Sequence, residues 1–252
     1  MTREVVVALR AVSVRYDGHA AALDGVDLVV RAGERVALVG PSGAGKSTLL
    51  GLCSGAVRPD SGDVEVLGQP LRRLGAGQLA DVRRRVGTIH QQLHLVGALR
   101  VVHNVNAGHL GRWSLWRALA SLIRPQEVEV ARAALGRVGI ADKLLVRTDR
   151  LSGGEQQRVA LARVLVQAPD LVLADEPVSS LDPARADEVV RLLCESVATE
   201  ERALVVSLHD FDLAVRRCER VVGLRGGRVV FDLPAGEVGQ RLRDELYSLE
   251  PS

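Results

Sequence analysis

Nine residues, Gly40 to Thr48, carry the densest chemical pattern in the chain, GPSGAGKST. They match G-x-x-x-x-G-K-[ST], the pattern of a phosphate-binding loop. Gly40, Gly43 and Gly45, with Pro41, Ser42 and Ala44 between them, let the backbone turn its N–H groups inward as a nest for a β-phosphate. Lys46 reaches the β- and γ-phosphates as a point charge, the hydroxyl of Ser47 suits a place on Mg²⁺, and Thr48 completes the motif. The chain's only lysines are Lys46 and Lys143, all its other cationic side chains of this class being arginine. A lysine here therefore reads as chosen for its compact ammonium over arginine's planar fork. The bland alternative is a glycine-rich turn that resembles the motif by accident.

Other residue types follow that could complete such chemistry. LVLADE, Leu171 to Glu176, is an apolar run ending in two carboxylates. Asp175 suits Mg²⁺ held through water opposite Ser47, and Glu176 suits a base or orienter of an attacking water. Two acids at the end of a hydrophobic strand are costly without such a task. LSGGEQQR, Leu151 to Arg158, opens a helix: Ser152 suits its N-cap and Glu155 a capping box. That explains the stretch as an ordinary helix start, yet Gly153 and Gly154 are unhelpful to a helix and useful for close approach to an anion. Gln91 follows a strand and fits either a Mg²⁺ or water shell or a solvated loop. His209 fits a hydrogen-bonded structural role or a γ-phosphate contact. Tyr16 fits a ring stacked on adenine or a half-buried strand aromatic.

The elements that must position these groups are legible from periodicity. Strands are expected at Val5–Leu9, Val12–Tyr16 and Val26–Val30, with a turn at YDGHAA between the last two. Glu34–Val39 then runs as a buried strand straight into the loop, and KSTLLGLC leaves it as a helix, the strand-loop-helix order the motif requires. QLADVRRR reads as a short basic helix and Val86–His90 as a strand. Residues 93–150 change character: Trp113, Trp116, Leu119, Leu122 and Ile123 recur at helical spacing, and Val128–Val138 is a second amphipathic stretch. This predicts an inserted helical lobe in which both tryptophans share one helical face, packed inside the lobe or presented to a partner. A helix from Ser152 to about Val166, strands at Leu171–Glu176 and Ala203–Leu208, and a helix from about Ala184 to Ala198 follow. A glycine-turned hairpin at VVGLRGGRVVF and a helix over Glu237–Leu249 close the chain.

With 252 residues and 47% apolar content, one nucleotide-binding domain with an inserted lobe fits best. The net charge of +2, from 33 basic and 31 acidic residues interspersed, demands no nucleic acid, and 2% aromatic content removes the stacking platforms of a single-strand binder. Cys53, Cys194 and Cys218 are scattered without metal spacing and read as thiols in a reducing compartment. No window approaches the ~18–20 uninterrupted apolar residues of a membrane span, and the N-terminus lacks a signal peptide's cleavage site. A cytosolic protein is expected, with any membrane role coming through a partner.

GPSGAGKST, Gln91, LSGGEQQR, LVLADE, SSLD and His209, in that order, resemble the ATPase subunit of ABC (ATP-binding cassette) transporters over almost the whole chain. The resemblance implies an α/β P-loop NTPase fold with an N-terminal antiparallel β subdomain, a mostly parallel core sheet and an inserted helical subdomain. Residues 1–92 and 160–252 would form the core and β subdomain, and 93–159 the helical subdomain. It implies that Gly40 to Thr48 hold ATP and Mg²⁺ and that Gln91 senses metal and water. Asp175 would be the Mg²⁺ carboxylate, Glu176 would polarise the attacking water, and His209 would touch the γ-phosphate. Tyr16 would stack on adenine. Asp182 would communicate between two sites, and Ser152, Gly153 and Gly154 would contact ATP held by a second copy of the chain in a homodimer.

Within the family, Gln91 through VVHNVNAGHLGRWSLWRAL, ADEPVSSLDP, SLHDFDLA and VVGLRGGRVVFD look most like the ATPase of phosphonate importers. His90 stands where the family usually has an aromatic, and FDLP replaces the more usual FDG. The implied partners are membrane permease subunits and, indirectly, a solute-binding protein, on the cytoplasmic face of the membrane. Competing readings are an ABC ATPase for another solute or an exporter, a soluble nucleic-acid-linked ABC ATPase, and a P-loop kinase. The last has no need of LSGGEQQR or His209.

Overall fold

Alternation of buried apolar side chains builds the central sheet. In the computed structural model, which describes residues 3–16, 21–179, 181–197 and 201–248, Val36 and Leu38 face one hydrophobic cluster while Ala37 and Val39 face another. Leu171 and Leu173 against Val172 and Ala174 do the same on a neighbouring strand, as do Ala203 and Val205 against Leu204 and Val206. A sheet buried on both faces is what a parallel α/β arrangement produces.

The chain begins with an antiparallel pair, β1 (Val5–Arg15) and β2 (Ala21–Arg31). Next come β3 (Arg35–Val39), α1 (Lys46–Cys53), β4 (Ser61–Val66), β5 (Gln69–Pro70), α2 (Ala76–Arg85) and β6 (Val86–Ile89). The helical portion holds α3 (Val101–Asn106), α4 (Leu115–Ile123), α5 (Val128–Arg137) and α6 (Gly153–Gln167). Then follow β7 (Leu171–Asp175), α7 (Pro183–Ser196), β8 (Ala203–Ser207), α8 (Phe211–Arg217), β9 (Arg220–Arg225), β10 (Arg228–Pro234) and α9 (Gln240–Tyr247). One sheet has the order β2-β1-β4-β5 and is antiparallel; the other has the order β10-β9-β3-β8-β7-β6, parallel from β9 to β6 with β10 antiparallel at its edge. Among the described residues no helix is long and apolar enough to cross a membrane.

The structure departs from the sequence-based expectations in four places. The two strands expected at Val5–Leu9 and Val12–Tyr16 are one strand with an irregularity at Ala11, whose φ of 47° and N–H bond to Asp27 Oδ1 at 2.9 Å absorb the extra residue. β2 extends back to Ala21, beyond the expected Val26, while residues 17–20 of the anticipated turn lie outside the described residues. Trp113 stands before α4, because Ser114 caps that helix by accepting the Arg117 N–H at 3.4 Å. The tryptophans therefore do not share a helical face: Trp113 stacks on His109 with centroids 5.1 Å apart and lies under the Arg117 guanidinium, whereas Trp116 is 81% exposed. The final helix begins at Gln240, three residues later than expected, after a short 3₁₀ turn at Ala235–Glu237, and Leu249 lies outside the described residues. Helix α6 runs unbroken through residue 160 and packs on α3, α5 and β6, tying the helical portion to the sheet.

Candidate functional site

The C-terminal ends of the parallel strands converge on one open cleft of about 450 Å³, lined by Ala22, residues 42–48, Gln91, Glu176 and His209. Five segments distant in sequence meet there, so the topology does what the sequence motifs require.

Strand β3 delivers the glycine loop and α1 receives it. Gly40 (φ 150°) is required by contact, since a Cβ there would stand 2.1 Å from the Leu224 carbonyl oxygen of β9. Gly45 (φ 102°) is the N-cap of α1 and a Cβ on it would meet the Ala22 oxygen at 2.4 Å. Gly43 (φ 79°) differs: nothing lies within 4 Å of its Cβ position, so its glycine serves backbone conformation and an open approach. Lys46 is 4% exposed, and its ammonium donates to the carbonyls of Gly40 at 2.8 Å and Pro41 at 3.0 Å. Burial holds its pKa below the ordinary lysine value, an effect partly offset by the charges of Glu176 and then Asp175. Among the described residues, the hydrogen bonds of this desolvated cation go to neutral oxygens of its own loop.

The acids sit at the end of β7, joined through a residue that the sequence motifs do not single out. Ser207, at the end of β8 and fully buried, donates to Asp175 Oδ1 at 2.8 Å and accepts the Glu176 N–H at 2.8 Å. Its register opposite Asp175 in the parallel pair fixes that placement. Glu176 has φ 46°, a left-handed conformation that non-glycine residues adopt at a cost. That turn aims its carboxylate at His209, whose Nε2 lies 2.6 Å from Glu176 Oε1. A hydroxyl in a buried strand two residues before a histidine was the sequence signal for Ser207; it reads as an ordinary strand residue until β8 is set beside β7.

Tyr16 lies beside the loop, its hydroxyl 3.5 Å from Thr48 Oγ1, with a half-exposed ring. Gln91, two residues beyond the end of β6, lines the cleft. Of the other predicted residues, Tyr16, Gly40, Pro41 and Asp175 stand next to the lining residues without lining the cleft themselves, and two further groups lie elsewhere. Ser152 caps α6 in a capping box, donating its N–H to Glu155 at 2.8 Å and accepting the Glu155 N–H at 3.3 Å. Asp182 caps α7 by accepting the Arg185 N–H at 3.1 Å. The glycines after Ser152 are not filled by this chain: a Cβ on Gly153 meets nothing within 4 Å, and one on Gly154 meets only Leu181 Cδ2 at 3.5 Å.

A second concavity opens away from the cleft. Val96, Leu99 and Leu110 face Leu119 and Leu122 of α4 across an apolar groove of about 280 Å³. Beside it α4 exposes Leu115 (72%), Trp116 and Ile123 (91%).

Comparison with known proteins agrees with this geometry. The sequence profile of the ABC transporter family matches residues 23–179, which include the glycine loop, Gln91, Ser152 and the β7 acids. A phosphonates import ATP-binding protein of Pseudomonas syringae pv. tomato is 48% identical over 96% of this chain and 91% of its own length; one of Pseudomonas fluorescens is 48% identical over 91% and 86%. Among solved structures, cbiO1 from Clostridium perfringens, part of an ABC transporter complex, superposes with a TM-score of 0.79 at 26% identity, covering 93% of this chain and 90% of that one. The dimeric bacterial ABC transporter cassette MJ0796 superposes with a TM-score of 0.78 at 28% identity, covering 91% and 98%. The fold is that of the ABC ATPase cassette, and the chain belongs to the ABC transporter family.

Proposed function

We propose that this chain is the ATP-binding subunit of an ABC importer: two copies close on ATP and hydrolyse it to power uptake of a phosphonate or related phosphorus oxyanion through a separate permease. The carrying observation is the cleft itself, where a glycine nest, a buried ammonium and a histidine-paired glutamate stand at the ends of parallel strands. The phosphonate assignment draws on the names of the relatives at 48% identity.

In this reading the amides of Gly40 to Thr48 bind the phosphates, and Lys46 leaves the Gly40 and Pro41 carbonyls for the γ-phosphate. Tyr16 covers the adenine. Glu176 accepts a proton from the attacking water, with His209 fixing the carboxylate and reaching the γ-phosphate. The oxygen donors Ser47, Gln91 and Asp175 fit a hard cation such as Mg²⁺, which would supply charge neutralisation on the phosphates. Asp175 meets that role with one carboxylate oxygen anchored on Ser207. Ser152, Gly153 and Gly154 serve ATP on the facing copy, where a bare helix N-terminus favours an anion, and Asp182 carries the communication between the two sites. The groove between the Gln91-following segment and α4 receives the permease, which keeps the ATPase peripheral on the cytoplasmic face of the membrane. A solute-binding protein would act on the permease's other side.

The test is reconstitution in liposomes with a candidate phosphonate permease. ATP-dependent accumulation of a radiolabelled alkylphosphonate is expected. ATP-dependent transport of another solute, with none of phosphonate, would replace the substrate; ATPase activity stimulated by DNA or RNA and not by permease would replace the function.

A further inference from the structure

Helix α4 turns an apolar face to open space. Leu115, Trp116, Leu119, Leu122 and Ile123 recur at helical spacing on one side of it, while Arg117 and Arg124, seven positions apart, share the other. A surface helix ordinarily turns such a face to its own core, yet here Leu115, Trp116 and Ile123 are each more than two-thirds exposed. The neighbouring groove does not account for them. Leu119 and Leu122 line it, but Leu115, Trp116 and Ile123 do not, so an occupant confined to the groove leaves these three uncovered.

The charge around α4 has one sign. From residue 82 to residue 126 the chain carries seven arginines and no acidic residue, although its 33 basic and 31 acidic residues nearly balance as a whole. Arg84 and Arg85 are paired with Asp81 and Asp170, and Arg117 with Glu127. The Arg83 and Arg112 guanidiniums donate instead to the backbone carbonyls of Gly55 and Gln167, at 2.6 Å each, and line one hollow of about 320 Å³ that also reaches Gly111, shortly before α4. Arg100 and Arg124 are in no ion pair among the described residues. Four positive charges in this stretch are thus left without an acid beside them.

We propose that the outer face of α4 lies on an anionic lipid surface, with Leu115, Trp116 and Ile123 entering the boundary between headgroups and acyl chains and Arg124 meeting lipid phosphates. Protruding indole and aliphatic side chains on one face and arginine on the other are the pattern of a helix that lies in a membrane interface. Tryptophan favours the headgroup level, and an anionic bilayer supplies the charge that this stretch lacks. A protein partner would need a matching hollow for each protruding side chain, whereas acyl chains yield to all of them. The contact is argued from α4 and its charges; only the nearness of a membrane rests on the importer reading, in which the adjoining groove holds a permease. A helix of nine residues gives a reversible contact, one that strengthens the permease's hold by keeping the ATPase at high local concentration.

The experiment is co-sedimentation of the full-length chain, without permease, with vesicles of phosphatidylcholine alone or of phosphatidylcholine and phosphatidylglycerol in equal parts. Binding to the mixed vesicles is expected to exceed binding to the neutral ones and to weaken as salt rises. Trp116→Gln combined with Ile123→Gln should cut the affinity for mixed vesicles at least about tenfold, and Arg124→Gln about fivefold. Tm should stay within about 2 °C in both, since these side chains stand at the surface and away from the residues lining the cleft. Trp113→Phe leaves Trp116 as the chain's one indole, and its emission should move to the blue on mixed vesicles. A wild type that stays in the supernatant with both vesicles, binding that survives the glutamine pair, or equal binding to neutral and anionic vesicles would each overturn the proposal. Shielding of Trp116 by a permease in detergent, with no shift on vesicles, would also overturn it and give the face to the permease. Vesicle binding as expected from a chain that powers no phosphonate transport would uphold the lipid contact and overturn the importer reading alone.

Discussion

Ser207→Ala is the most direct test of how the acidic side of the cleft is built. The substitution removes one hydroxyl that is fully buried and makes two hydrogen bonds of 2.8 Å, one to the Asp175 carboxylate and one from the Glu176 N–H. A hydrogen bond to a charged group contributes about 1.5–3 kcal/mol and a neutral one about 1 kcal/mol, so the loss should be on the order of 2–4 kcal/mol. At about 2–4 °C per kcal/mol for a chain of this size, Tm should fall by roughly 5–15 °C. The chemical consequence is larger than the thermal one. Glu176 keeps its left-handed backbone only while the surrounding contacts over-determine it, and Ser207 is the one that grips its N–H. A displacement of about 1 Å in the carboxylate costs on the order of 10²-fold in turnover. Nucleotide affinity should stay within about threefold, because Lys46 and the glycine loop do not touch Ser207. The assays are differential scanning fluorimetry, fluorescent-nucleotide titration and phosphate release on the same preparation. A variant with Tm within 1 °C and turnover within twofold of wild type would refute the reasoning.

Three further outcomes are expected. Glu176→Gln should bind ATP but hydrolyse it at least ~10²-fold more slowly, the usual yield of a general base, and accumulate as an ATP-dependent dimer by light scattering; rapid multiple turnover would contradict it. Because burial lowers the Lys46 pKa, the unfolded chain binds the extra proton between that depressed value and about 10.4. Nucleotide-free stability should therefore rise with pH across this window and ATP affinity fall, and both trends should vanish in Lys46→Met, as urea melts and nucleotide titrations at several pH values would reveal. Gly153→Ala meets no atom of its own chain within 4 Å and improves helix propensity at the start of α6, so Tm should hold or rise while ATP-driven dimerisation is lost; a dimer that forms normally would remove the facing-copy role.

Elements with strong periodicity and short, chemically specific motifs were legible from the residues. LVLADE announces a buried strand ending in acids because four apolar residues are followed at once by two carboxylates, and in β7 those four alternate between the two cores. Ser207 was not legible, since its role arises only when β8 pairs in register with β7 and sets residue 207 opposite residue 175. The face shared by Trp113 and Trp116 was misjudged for a local reason: spacing of three implies a helix, but a serine between the two residues can end that implication by capping. The single bulged strand β1 was hidden because Ala11 carries no turn signal, and the left-handed φ it adopts is dictated by its N–H bond to Asp27. Long-range partners, which periodicity does not reveal, govern Ser207 and Ala11, whereas a local cap governs the tryptophans.

The charges in the cleft argue that the site is built for a ligand rather than for its own stability. Lys46 is buried with only neutral carbonyls as hydrogen-bond partners, Glu176 is held in a strained backbone, and Gly43 keeps an open flank. Each of these costs the empty protein something: desolvation of a cation, left-handed strain, or the backbone freedom of glycine. A bound polyphosphate answers the first by supplying anionic oxygens to the ammonium, and an activated water answers the second by using the carboxylate that the strain aims. Gly153 and Gly154 pose the same question at the start of α6, where the chain leaves open space at a helix N-terminus and brings no ligand of its own to fill it. None of the residues lining the cleft belongs to that helix. In the proposed reading, one anion would be shared between the cleft of one copy and the α6 N-terminus of another, so that closure of the pair and occupancy of the nucleotide site would be one event.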